Sequence, residues 1–174
     1  MWFVIKANEA PSKVSAFIGS WLLAPLILGM VWEVFSRYVL RSPTFCAFEI
    51  AYMLMGAAFM LGIAYTLQMR RHVRVDFLYD HVSPKLQATI DLVGFIVLVL
   101  PAATLVLYGL WDYFVYAYVN GELSGQSAWN PIVWPFRTTF VIGFALVILQ
   151  TVAEILKCVL VLMGHDVPRP EAME

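Results

Sequence analysis

The sequence predicts an all-α integral membrane protein of four transmembrane helices, and three observations carry that reading. Of its 174 residues, 61% are hydrophobic and 13% charged, and the mean hydropathy is +0.79, well outside soluble composition. Four apolar runs stand out, at about 14–40, 45–69, 90–118 and 132–163. Each is long enough, at about 1.5 Å per residue, to cross a hydrocarbon core of about 30 Å. Between the second and third lies the densest charged run, QMRRHVRVDFLYDHVSPK, residues 68–85. Four spans with short connections use up the chain, so a single membrane domain, 1–174, is expected. The formal net charge of −1 offers no basic patch for nucleic acid.

The first span is too long for a signal peptide and no small-residue cleavage site follows a short apolar core, so it is expected to be retained, with the mature chain starting near Met1. Toward its end Glu33 and Arg37 stack at i, i+4. Ser42-Pro43 precedes span two as a capping side chain before a proline at the first helical position, where no backbone N–H is missed. Ser83-Pro84 and Asn130-Pro131 repeat the pattern before spans three and four. Within span two, Ala58 and Gly62 at small-xxx-small spacing predict close helix packing. His72 to Phe77 then alternates polar and apolar as a strand would. A lone strand among four helices leaves its backbone unpaired, so residues 70–82 are expected instead as a short amphipathic arm helix lying in the interface. On a helical wheel Val75, Leu78, Tyr79 and Val82 form one apolar arc, and Val73 with Phe77 a second. Two arcs want two surfaces, lipid and another protein. Spans three and four exceed the minimum length, which predicts tilt, and Pro101 is placed to bend span three.

Lys6, Lys13, Arg70, Arg71, Arg74, Lys85, Lys157 and Arg169 fall on one side of the membrane, Arg37, Arg41 and Arg137 on the other. Eight against three predicts that both termini and the arm are cytoplasmic. At that topology Glu33, Arg37, Glu49, Asp112 and Arg137 fall in one layer just under the outer surface. Glu49 and Arg137 each follow a proline by six residues, about 9 Å of helix. Charges at such depth are costly unless they pair, snorkel or line an aqueous path. Bundle or partner contacts, plain snorkelling, and an ion or substrate site all satisfy that demand, and Trp32, Trp111, Trp129 and Trp134 mark the same level as an aromatic belt. His72, Asp76 and Asp80 share a helical face, as metal ligands or a solvated cytoplasmic surface would, and no metal is assigned to them. Cys46 and Cys158 have no CxxC or Cys/His spacing, so neither a disulfide nor zinc is expected. His72, His81 and His165 fall in connections, which excludes bis-His haem within the chain. With no GxSxG, HExxH or P-loop, no enzyme chemistry and no cofactor is expected. The acidic, proline-containing tail 166–174 reads as loose.

The run from Glu49 through GAAFMLGIAYTLQMRRHVRVD resembles the second span and following connector of the small membrane subunit of tripartite ATP-independent periplasmic (TRAP) transporters, and NPIVWPFRTTFVIGFALVILQ resembles that family's fourth span. The resemblance covers about residues 14–163 and rests on the order of Glu49, Gly62, the His72-Val73-Arg74-Val75-Asp76 run, Pro131, Trp134, Pro135 and Gly143. It implies a subunit of the bacterial inner membrane that associates with a large multi-span permease subunit, which binds substrate and sodium ions, while a periplasmic substrate-binding protein delivers an organic acid, typically a carboxylate. In an elevator-type mechanism the small subunit would widen the static frame. Glu33, Arg37, Glu49, Gly62, Asp112 and Arg137 would order the bundle or meet a partner, and His72, Arg74, Asp76 and Phe77 would anchor the arm. Two further readings stay open: a self-sufficient, proton-coupled small transporter using Glu33 or Glu49, and the membrane anchor of a respiratory enzyme.

Overall fold

The computed structural model describes residues 2–69 and 83–163, with side chains from residue 10 onward except that of Pro84. Its helices are α1 (Trp2–Trp21), α2 (Leu23–Tyr38), α3 (Ala47–Gln68), α4 (Pro84–Gly94), a π-helical turn Phe95–Val99, α5 (Leu100–Asn120) and α6 (Trp134–Leu162). Four stretches are long and apolar enough to cross a membrane: Ala10–Tyr38, Ala47–Gln68, Lys85–Asn120 and Trp134–Leu162. No strand occurs among the described residues; a single antiparallel bridge joins Leu123 to Ile132. The arm expected at 70–82, with His72, Arg74, Asp76 and Phe77, lies outside the described residues.

Local chemistry explains where helices bend. At Leu22 the first span changes from α1 to α2. Pro25 offers no N–H to the carbonyl of Trp21, four residues back, and its ring crowds that carbonyl. Backbone bonds flank the break on either side, from Leu22 N to Ile18 O at 3.2 Å and from Leu26 N to Leu22 O at 3.4 Å. Pro101 acts more gently: the helix widens just before it, with the Leu100 N–H reaching the Phe95 carbonyl, five residues back. The expected bend in span three is thus a π-helical turn.

Of the three Ser/Asn-Pro starts, only Ser83-Pro84 opens a helix where the sequence places it. Ser83 is extended and Pro84 begins α4, although the serine side chain makes no capping bond. Ser42-Pro43 belongs instead to the turn between α2 and α3, where Ser36 Oγ donates to the Ser42 carbonyl at 2.5 Å and Arg41 takes a left-handed φ of 53°. The helix itself starts at Ala47. Asn130 likewise adopts a φ of 48°, and its Oδ1 accepts the Gly125 N–H at 2.7 Å. The chain then runs back along itself, Ser124 N to Pro131 O and Val133 N to Glu122 O both at 3.0 Å, before α6 begins at Trp134.

Small residues set the helix order. Ser15 Oγ donates to the Leu61 carbonyl at 2.9 Å, and a Cβ added to Gly19 would sit 3.0 Å from the Ala58 carbonyl oxygen, so α1 and α3 run antiparallel. Gly56 faces Phe136 and Gly143 faces the Met60 carbonyl, so α3 and α6 run parallel. Helix α5 returns against α6, bringing Tyr113 to Arg137. The order is up-down-up-down, with the start of α1 and the end of α6 at one end (the termini end) and the 39–46 and 121–133 connections at the other (the loop end). Helix α6 touches α1, α3, α4 and α5. Around it Ala64, Leu67, Phe95, Ala103, Val147 and Cys158 form the apolar core, as expected where small side chains let backbones approach.

Candidate functional site

At the loop end, the charged side chains are organised into three separate clusters rather than one layer of mutual contacts. Glu33 is buried on α2. Its Oε1 accepts from Arg37 Nε at 3.0 Å and Arg37 Nη2 at 2.5 Å, and its Oε2 accepts the Thr44 N–H at 2.9 Å and the Thr44 hydroxyl. This carboxylate therefore closes the turn into α3. Glu49 is 0% exposed; Oε1 takes the Ser124 hydroxyl at 2.7 Å, while Oε2 has no hydrogen-bond partner among the described residues. Arg137, in the first turn of α6, forms a fork with Glu122, Nη1 to Oε2 and Nη2 to Oε1 both at 2.6 Å. Its Nη1 also donates to the Tyr113 carbonyl at 3.0 Å, and the guanidinium lies 3.3 Å over the Tyr113 ring. Such planar, bidentate and stacked contacts suit arginine and not lysine. Beside the pair, a cavity of about 330 Å³ opens between α3, α5, α6 and the 121–133 loop, with Glu122, Arg137 and Gln126 at its polar wall and Leu110, Phe136 and Phe140 at its apolar one.

Asp112 stands apart from these clusters. It is exposed on α5 and has no hydrogen bond or ion pair with any described residue. Gly62 also lies away from the helix contacts: nothing stands within 4 Å of the position its Cβ would take. Close packing in this bundle occurs at Ala58, Gly56 and Gly143 instead.

A second polar layer, which the sequence reading did not single out, lies toward the termini end. Ser12 Oγ donates to Gln150 Oε1 at 3.1 Å, Gln150 Nε2 to Glu154 Oε1 at 3.1 Å, and Lys157 Nζ to the same oxygen at 2.7 Å. Ser12, Gln150 and Glu154 are 0% exposed and Lys157 is 5% exposed. The signal was present: Gln150, Glu154 and Lys157 recur at i, i+4, i+7 along one face of the last span. Gln150 lies sixteen residues into a 29-residue helix, so buried polar groups reach from the termini end to about the middle of that helix. Charge is tolerated there because it is paired and hydrogen-bonded.

Taken together, the two layers tie helices to one another. Ser12 joins α1 to α6, Ser124 joins the last loop to α3, and Glu33 joins α2 to the turn that precedes α3. Among the described residues, no group of three His, Cys, Asp or Glu side chains gathers as metal ligands would. Residues 26–160 match the family model described as tripartite ATP-independent periplasmic transporters, DctQ component. No curated protein matches the chain. Because the match covers well over half of a chain with four candidate membrane-crossing stretches, the chain belongs to the DctQ family, the small membrane subunit of TRAP transporters.

Proposed function

We propose that this chain is the static frame subunit of a sodium-coupled, binding-protein-dependent secondary transporter for organic acids, probed most directly by what it holds. It embraces a large, elevator-type permease subunit in the bacterial inner membrane, with both termini cytoplasmic. The permease binds carboxylate substrate and sodium, and a periplasmic binding protein delivers the substrate to the loop end. The observation that carries this reading is how the charged side chains are spent: Glu33, Arg137, Glu154 and Lys157 are engaged in ion pairs within the chain. A coupled carrier instead needs polar groups aimed at an open path, often from broken helix ends. The arm at 70–82, with His72, Arg74, Asp76 and Phe77, extends the frame along the cytoplasmic interface.

Gentle purification of this chain from its native membrane, with mass identification of stoichiometric partners, tests the reading. A large, many-span protein is expected in constant ratio, and sodium-driven uptake of an organic acid requires both subunits and the binding protein in proteoliposomes. Recovery of a homo-oligomer that transports by itself, with activity lost on Glu33→Gln or Glu49→Gln, would replace the frame by a self-sufficient proton-coupled carrier.

A further inference from the structure

We infer that the face of α5 turned away from the bundle, centred on Asp112, is the docking surface for a transmembrane helix of the large permease subunit, and that this helix carries a basic side chain opposite Asp112. The inference rests on the proposed function for the identity of the partner, and on the following geometry for the surface itself.

Helix α5 is two-sided. Ala103 and Ala117 are buried and, with Leu110, line the side turned toward the bundle. At about 100° per residue, Leu105, Tyr108, Gly109, Asp112, Tyr116 and Val119 fall within an arc of about 100° on the opposite side. All six are exposed, Leu105 at 73% and Tyr108 at 70%. An apolar, aromatic stripe facing lipid needs no explanation, but a carboxylate in it does.

Asp112 lies level with Arg137, because the carbonyl of the next residue, Tyr113, accepts from the Arg137 guanidinium. Yet Asp112 points elsewhere and shares none of that charge. The other acidic side chains at this end, Glu33, Glu49 and Glu122, accept hydrogen bonds within the chain. Aspartate is too short to snorkel as lysine or arginine can. A carboxylate in a membrane-facing stripe calls for a cationic partner, and none of the described residues supplies one, which leaves another molecule as its source. Gly109, one turn before Asp112, has nothing within 4 Å of where a Cβ would stand, which lets a second helix backbone come close beside the charge. A second copy of this chain would bring another Asp112 to a symmetric interface of this face, a like-charge contact. The complementary occupant is therefore a different chain bearing lysine or arginine, and the large permease subunit is the membrane-embedded partner the family implies.

The test uses the intact complex from co-expressed subunits, with a photo-crosslinking amino acid at Tyr108 or Tyr116 and, as a control, at Tyr65. Products linking Tyr108 and Tyr116 to the large subunit are expected. Asp112→Lys should lower recovery of the large subunit about tenfold or more, and Asp112→Asn less, as for loss of a buried interfacial charge pair. Reversing the charge of the crosslinked helix's basic residue should restore recovery with Asp112→Lys. If the wild-type chain retains the large subunit but Tyr108 and Tyr116 crosslink only to lipid or to a second copy, the docking surface is wrong while the frame reading stands. If the wild-type chain retains no large subunit, both fall.

Discussion

Gly143 and Gly62 look alike in the sequence, each a glycine inside an apolar span, but the bundle treats them oppositely. A Cβ on Gly143 would stand 2.5 Å from the Met60 carbonyl oxygen and 3.1 Å from its carbon, and neither is the end of a flexible side chain; a Cβ on Gly62 would meet open space. Gly143→Ala must push α3 from α6 and is expected to cost about 1–3 kcal/mol, the range for overpacking. Gly62→Ala should leave stability unchanged or raise it slightly through the alanine's better helix propensity. Thermal melting of the two purified variants in the same detergent checks the contrast; equal midpoints would remove the close α3–α6 approach. The Ala58/Gly62 spacing was legible as a small-residue face, and Ala58 does receive Gly19 across the α1–α3 contact. Spacing reveals where a neighbour is sterically allowed, however, and the choice among allowed sites is made by where the other helix crosses.

Among the elements, α6 shows most clearly why burial of charge was harder to read than the helix itself. Its 29 residues announce a membrane-crossing helix by length and composition, and four such stretches are present as the sequence predicts. By charge count alone Lys157 is one of the cations expected on the cytoplasmic side; in the bundle it is 5% exposed and bound to Glu154. A linear sequence shows that the two share a face; it does not show that Ser12 of α1 covers that face. The turn chemistry had the same blind spot. Ser83 and Asn130 both precede proline, but Asn130 is drawn into the hairpin-like 121–133 loop by the Gly125 N–H, and Ser42 into the turn closed by Glu33. Pairing makes the layer at the termini end a test of its own. Lys157→Ala takes a cation from a fully buried carboxylate and is expected to cost about 3 kcal/mol. Glu154→Gln combined with Lys157→Met keeps size while removing both charges, and should melt closer to the wild type than Lys157→Ala does. A double variant that melts below the single one would show the ion pair itself to be stabilising.

For the molecule as a whole, two polar layers linked through an apolar core tie the helices to one another, and the proposed frame requires those helices to keep their relative positions. That rigidity can be tested at the α1–α3 contact. A Cβ on Gly19 would stand 3.3 Å from the Leu61 Cβ, close to the roughly 3.5–4.5 Å spanned by disulfides. Gly19→Cys with Leu61→Cys, in a background where Cys46 is serine and Cys158 alanine, should therefore oxidise to a crosslink between the first two spans. In a static frame the crosslink restrains a contact that transport never breaks. The oxidised complex is then expected to take up organic acid at the same rate as the reduced one, while its melting temperature rises because the unfolded chain is constrained. If oxidation instead stops uptake and a reductant restores it, α1 and α3 shift against each other during turnover. The small subunit would then be a moving part, and the polar ties at Ser12, Ser15 and Gln150 would have to break and reform in each cycle.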